Sequence, residues 1–210
     1  VDYLASLGVR NIDLNPNIHA KWTKNEADAL PGIFERLGER YVEFYRQKEP
    51  RFISLIDSKI AVILREGYKP LEKCRMGNGE FAFGPSGNIY PCERFIGSDD
   101  GIEHCIGNIN KGFTAGISCK SVSNVVLNKE CLACGLTEYC MNWCGCTNYY
   151  LTGNYNFVSL FMCAFEKALV NTAFQIIQNL DYELLNFSDH FAGTPLMNVI
   201  EAVYKEKLKP

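Results

Sequence analysis

The residues that could do chemistry here are thiols. Ten cysteines stand at Cys74, Cys92, Cys105, Cys119, Cys131, Cys134, Cys140, Cys144, Cys146 and Cys163 of a 210-residue chain. That is about 5%, above ordinary usage and below the roughly 8–10% of a disulfide scaffold. Three uses of thiols compete. Disulfides belong to oxidising compartments and are densest in small secreted domains. This chain has long amphipathic stretches that can bury a core without staples. The short reach of Cys131-Leu132-Ala133-Cys134 also suits a metal centre better than a structural disulfide. Zinc is the second use: Cys131, Cys134, Cys140 and Cys144 could close a tetrahedral four-thiolate site, leaving Cys74, Cys92 and Cys163 idle. Iron–sulfur clusters are the third. Each takes about four thiolates, so two clusters would use seven or eight of the ten. A cubane is large enough to be gripped from several loops. The stretch between Glu138 and Glu166 carries no charge, which suits a cluster, because nearby carboxylates raise the cost of its reduction.

The spacing is more specific than the count. Cys74, twelve residues, Gly87, four residues and Cys92 are followed by Cys131-x2-Cys134-x5-Cys140-x3-Cys144 and, after a gap, by Cys163. Over about residues 70–170 this resembles the seven-cysteine signature of the SPASM domain, the auxiliary-cluster extension of many radical S-adenosylmethionine (radical SAM) enzymes. The resemblance implies two auxiliary 4Fe-4S clusters with interleaved ligands. Cys74, Cys92 and Cys144 would hold the first, and Cys131, Cys134, Cys140 and Cys163 the second. The first is a ligand short: sulfatase-maturing members carry a further cysteine six residues after the first, where this chain has Glu80. Cys105 or Cys119 could fill the gap, the fourth iron could stay open to a substrate thiolate, or a non-cysteine ligand could serve. Otherwise Cys105 is a packed small hydrophobe, and Cys146 is read as structural. Glu93 follows Cys92, where sulfatase-maturing relatives carry an aspartate base. It is a candidate proton acceptor if it faces substrate, and otherwise a surface carboxylate, solvated or paired with Arg94.

What the resemblance implies about function follows. In such enzymes a 5′-deoxyadenosyl radical takes a hydrogen from a ribosomally made peptide or protein, and auxiliary clusters accept the electron or bind a substrate thiol. Cofactors would be the two auxiliary clusters, with S-adenosylmethionine and a third 4Fe-4S cluster in the full-length enzyme. Partners would be a peptide or protein substrate containing cysteine, and an electron donor such as ferredoxin or flavodoxin. The first expectation is a cysteine-rich peptide maturase that forms a thioether, because the first cluster lacks a ligand. The second is an anaerobic sulfatase-maturing, formylglycine-generating enzyme. From a different class comes a zinc-ribbon-type binding module. The C-x3-C-x2-C loop that would hold the S-adenosylmethionine cluster is absent: Cys140-x3-Cys144 is followed by Thr147 where a cysteine is needed. The chain therefore reads as the C-terminal part of a longer radical SAM/SPASM oxidoreductase or peptide maturase, not active alone.

The elements that must position these thiols are expected to be α+β. Residues 1–65 read as the end of a partial α/β (radical SAM) barrel with linking helices, 66–170 as the SPASM domain, and 171–210 as C-terminal helices. Val1 to Leu7 ends a helix at Gly8, and Val9 to Leu14 is a weak strand. Thr23 with Glu26 forms a capping box for a helix over residues 24–48. A second stripe from Phe52 to Leu64 stops at Gly67. Glu80–Phe83 and Ile89-Tyr90 flank a hairpin turn, in which Gly87 supplies φ > 0 and aims Cys92 back toward Cys74. Phe165, Leu169, Ala173, Ile176, Ile177 and Leu180 share one helix face, and Thr194-Pro195 opens a last helix. His19, His104 and His190 form no metal-spaced set and read as structural or exposed. At 47% hydrophobic and 21% charged, the chain can bury a core. A net charge of −3 argues against nucleic acid, and Lys205, Lys207 and Lys209 read as a solvated face. No signal peptide is evident. The amides of Asn142, Asn148, Asn154 and Asn156 argue against a membrane span in the uncharged run, so the expected location is cytoplasmic.

Overall fold

The computed structural model describes residues 1–69, 72–77, 79–114, 128–141 and 143–180. Cys119 and the helix expected at Thr194-Pro195 lie outside them. The described part is α+β, as expected, with a helical core on one side and a small cysteine-rich sheet region on the other.

Helix α1 (Asp2–Ser6) reverses through Gly8 into strand β1 (Asn11–Ile12). Helix α2 (Lys24–Arg46) starts on the expected capping box: the Thr23 N–H donates to Glu26 Oε2 at 2.6 Å, and the Glu26 N–H returns to Thr23 Oγ1 at 3.5 Å. It runs through Pro31 at the cost of one backbone hydrogen bond. Phe52 and Ile53 do not begin the next helix, as their place in the apolar stripe suggested. They form strand β2 (Phe52–Ile53), parallel to β1, with Asn11 opposite Phe52 and Ile12 opposite Ile53. Side chains enforce the switch. The Leu14 N–H donates to Ser54 Oγ at 2.9 Å, and the fully buried Asp57 accepts the Ile53 N–H at 2.7 Å and the Tyr41 hydroxyl at 2.8 Å. Helix α3 (Ser54–Leu64) follows at once.

The hairpin forms where expected. Strands β3 (Ala82–Phe83) and β4 (Asn88–Tyr90) pair antiparallel, and Gly87 takes φ +83° in their turn. Two further strands, β5 (Gly107–Asn108) and β6 (Gly112–Phe113), extend the sheet in the order β3-β4-β5-β6. Asp99 ties the turn down by accepting from the Ser86 N–H and hydroxyl, both at 2.7 Å, and from Tyr90 Oη at 3.0 Å.

Short helices α4 (Lys129–Leu132) and α5 (Gly145–Thr152) carry the cysteine loops. Helix α6 (Leu160–Asn179) is capped by Ser159, whose hydroxyl accepts the Met162 N–H at 3.1 Å. Its expected face is in the core: Phe165, Leu169, Ala173, Ile176 and Leu180 pack with Phe34, Tyr41 and Tyr45 of α2 and Ile56 and Ile60 of α3. The boundary expected at residue 170 falls inside α6, which joins both sides of it in one core. By length and composition α6 could cross a membrane, at mean hydropathy 1.3; here half of that stretch is buried in the protein.

Candidate functional site

All nine described cysteines are free thiols. The fold sorts them into two sets, and their sequence order alternates between the sets.

The first set gathers around the hairpin. Cys74 precedes β3, Cys92 follows β4 and opens the 3-10 turn Glu93–Phe95, Cys144 caps α5, and Cys146 lies in the first turn of α5. They pack with Met76, Tyr90 and Phe95, and Cys105 joins the same cluster. Cys144 Sγ lies 3.4 Å from Cys146 Sγ and 3.2 Å from Thr147 Oγ1. Cys146 also packs in one cluster with Cys92, whose thiol it pulls down. The backbone N–H groups of Met76 and Gly145 favour the Cys74 thiolate, and the charge of Cys144 opposes it. A Cβ on Gly145 would stand 2.7 Å from Met76 Cε, so the methionine's end would have to shift to admit one. The hydrogen bond from Cys146, helped by Thr147 and the Arg94 charge, pulls the Cys144 thiol down to about 6. The same coupling to its neighbours pushes Cys146 up, and burial pushes Cys74 up. Arg94 Nη1 donates to Thr147 Oγ1 at 3.2 Å, leaving its positive charge beside the thiols. Phe95, His104, Tyr149, Tyr150 and Tyr155 form an aromatic wall, with His104 Nδ1 3.0 Å from Tyr155 Oη. His104 is structural, as expected.

The second set lines one small cavity. Cys131, Cys134, Cys140 and Cys163 surround about 40 Å³, with Glu166 and Lys167 at its edge. Thr137 Oγ1 reaches the carbonyls of Cys131 at 2.7 Å and Cys134 at 2.8 Å, which fixes the loop between α4 and Cys140. Cys163 projects from the first turn of α6 rather than from a loop before it. Burial pushes its thiol up, while Lys167 hydrogen-bonds and opposes that shift; the nearby Cys131 and Cys134 add to it. A buried ion pair holds Cys140. Lys59 Nζ, on α3, is 2.7 Å from Glu166 Oε2, on α6, and the two residues are 1% and 4% exposed. Lys59 also donates to the Tyr139 carbonyl at 2.9 Å, and Glu166 accepts the Met141 N–H at 2.8 Å. The pair thus grips the peptides on either side of Cys140.

Thiols without histidine match iron–sulfur or zinc chemistry rather than that of hard cations. A single zinc needs donors within about 2.3 Å of one point. Among the described residues no three His, Cys, Asp or Glu side chains converge in that way. Cys131, Cys134, Cys140 and Cys144, the four that zinc would need, are divided between the two sets. Four thiols around a cavity, and four or five in a second cluster, suit the larger cubane. The buried indole N–H of Trp143, between Cys140 and Cys144 in the chain, has no partner among the described residues, a donor that a cluster sulfur would satisfy.

The remaining candidates are also placed. The Glu93 side chain is exposed, with Oε2 3.2 Å from Cys92 Sγ, while Arg94 turns to Thr147; of the two surface readings, the solvated one fits this arrangement. Cys105 Sγ donates to the Gly107 carbonyl at 3.2 Å. Glu80 is exposed. Sequence reasoning missed the contact of Cys146 with two expected ligands. It also missed Lys59, Glu166, Lys167 and Arg94. A lysine inside the apolar run Ile56–Leu64 and a glutamate inside the apolar face after Cys163 were available signals.

No protein-family model matches the chain, and no curated protein does. Among solved structures, histidine-tagged anSMEcpe with bound AdoMet matches with a TM-score of 0.59 at 17% identity, over 87% of this chain and 51% of that one. The chain spans about half the length of that structure. At this identity the likeness is one of fold.

Proposed function

We propose that this chain is the auxiliary-cluster portion of a radical SAM/SPASM enzyme that modifies a peptide or protein. The observation that carries the reading is the sorting of the thiols. Cys140 and Cys144 are four residues apart, yet one lines the α6 cavity and the other packs with Cys74 and Cys92. Random clustering of cysteines gives no reason for that alternation; two adjacent clusters sharing one loop do.

Cys131, Cys134, Cys140 and Cys163 would hold one 4Fe-4S cluster, and Cys74, Cys92 and Cys144 the other. The clusters would supply one-electron exchange, and the S-adenosylmethionine cluster would lie on a part of the enzyme outside these 210 residues. The chain's own residues do the positioning. Lys59 and Glu166 hold Cys140, Lys167 offers positive charge to Cys163, and Arg94 does the same at Cys144. Two chemistries share this framework. Thioether formation would use an open iron at the first site for a substrate thiolate, and Glu80 in place of a further cysteine supports it. Formylglycine formation on a sulfatase is supported by likeness of fold to anSMEcpe, an anaerobic sulfatase-maturating enzyme, and by Glu93 beside Cys92. An electron donor such as ferredoxin or flavodoxin serves either.

Anaerobic purification tests the shared reading. A brown protein with about eight iron and eight sulfide per chain is expected for two clusters. A colourless protein with stoichiometric zinc overturns it.

A further inference from the structure

We propose that Cys146 is the fourth thiolate ligand of the first cluster. This rests on the two-cluster reading and deepens it, because it decides whether that cluster has an iron free for substrate.

Three observations carry it. First, the Cys146 sulfur faces the ligand set: it lies 3.4 Å from Cys144 Sγ and packs in the same cluster as Cys92. Those are two of the three residues already assigned to this cluster. A cysteine present only to fill space would point its sulfur at carbon. Second, Cys146 is 3% exposed, in contact with Met76, Tyr90 and Phe95, on the helix turn that Cys144 caps. One rigid turn therefore presents two thiols to one site. Cys74 packs in the same cluster as both. Third, two competing donors among the described residues are turned elsewhere or exposed. Cys105 gives its S–H to the Gly107 carbonyl at 3.2 Å, and Glu80 is exposed to solvent.

Binding iron would release the Cys146 thiol proton and replace its 3.4 Å contact with Cys144 by bonds from both sulfurs to the metal. A first cluster with four protein thiolates has no open iron. It exchanges electrons without binding a substrate thiolate, so within the proposed function it favours the oxidising maturase over the thioether-forming one.

The test uses the full chain, reconstituted anaerobically with iron and sulfide, as wild type and as Cys146→Ala, Cys146→Ser, Cys105→Ala and Cys119→Ala. Iron content is measured, with the electron paramagnetic resonance spectrum of the reduced protein before and after adding 2-mercaptoethanol as a probe thiol. The expected wild type holds about eight iron with a spectrum that the probe leaves unchanged. Cys146→Ala should drop to about four iron, or keep the first cluster with a spectrum that now shifts with the probe. Cys146→Ser should keep the iron with an altered spectrum, and Cys105→Ala should match wild type. The proposal is overturned if Cys146→Ala matches wild type, if Cys105→Ala or Cys119→Ala shows the loss instead, or if the wild-type spectrum already shifts with the probe. The last measurement needs no substitution, so a variant that fails to fold does not remove the test. A wild type that takes up no cluster overturns the two-cluster reading itself, and is a distinct result.

Discussion

Replacing either member of the Lys59–Glu166 pair should loosen both the helical core and the second thiol set. Nζ and Oε2 are 2.7 Å apart, at residues 1% and 4% exposed. Removing one partner of such a pair strands the other charge away from water and costs about 3–5 kcal/mol. In Lys59→Met the carboxylate keeps only the Met141 N–H, and the Tyr139 carbonyl loses its donor. That variant should sit at the upper end. In Glu166→Gln the amide oxygen can still accept from Met141 and Lys59, so about 2–3 kcal/mol is expected. Against a stability of roughly 5–15 kcal/mol, either loss is large.

Guanidinium unfolding followed by helical circular dichroism measures the first half of the prediction. The double variant Lys59→Met/Glu166→Leu should cost at least about 1 kcal/mol less than the two single losses together, because the charges that strand each other are then both gone. Iron retention under a mild chelator measures the second half: the cluster at Cys131, Cys134, Cys140 and Cys163 should be lost sooner than the other. A loss below about 1 kcal/mol in Lys59→Met would mean that the charges are hydrated and the clamp is absent. Equal loss of iron from both sites would refute the specific hold on Cys140.

Cys144→Ala should damage the first cluster and leave the second with most of its iron, about four per chain; spectra showing loss confined to the second would reverse the ligand assignment. Lys167→Met removes a positive charge and a hydrogen bond from Cys163. The second cluster's potential should fall by on the order of 50 mV, about 1 kcal/mol for one electron, and an unchanged potential in redox titration would place Lys167 outside its field. Burial raises the Asp57 carboxyl from 3.8 to about 7. The folded state then keeps a proton that the unfolded chain releases, so stability should fall as pH rises from about 4 to about 7, by up to about 4 kcal/mol. Asp57→Asn should flatten that slope in unfolding midpoints measured across the window, and parallel profiles for the two proteins would count against a buried neutral Asp57.

Local rules were readable where one residue's chemistry decides the backbone. Thr23 with Glu26, Gly87 in its turn and the face from Phe165 to Leu180 all form as expected. Phe52 was misplaced because its apolar spacing fits a helix, while the partner that makes it a strand, Asn11, is 41 residues away in the chain and invisible to periodicity. Strands β5 and β6 were missed for a related reason: Gly107, Asn108 and Gly112 have low strand propensity, and pairing with β4 overrides it. At the site, the expected alternation of the thiols between sets came from the resemblance of the cysteine pattern to a known domain, not from spacing alone. The pattern did not carry the direction of one sulfur. Cys146, two residues after Cys144, is indistinguishable by type and spacing from a packed small residue until the turn of α5 sets where its sulfur points.

The helical core also bears on what the cysteine-rich region can do by itself. The first set is built from the hairpin and α5, with Tyr90, Phe95 and Met76 as its wall. The second draws Cys163, Glu166 and Lys167 from α6, while Lys59 comes from α3 to hold the peptides beside Cys140. The second site is therefore an outgrowth of the α2–α3–α6 core rather than a property of the loops that supply three of its thiols. The stretch from Cys140 to Cys146 is fixed at one end by that core and at the other by the packing of Cys144 and Cys146 with Cys74, Cys92 and Tyr90. Metal bound to the folded arrangement and not to the unfolded chain stabilises whatever must be folded to present the ligands. Here that includes helices lying outside the spacing motif, which is why the residues that hold the thiols in place are found at Lys59 and Glu166 as much as among the cysteines.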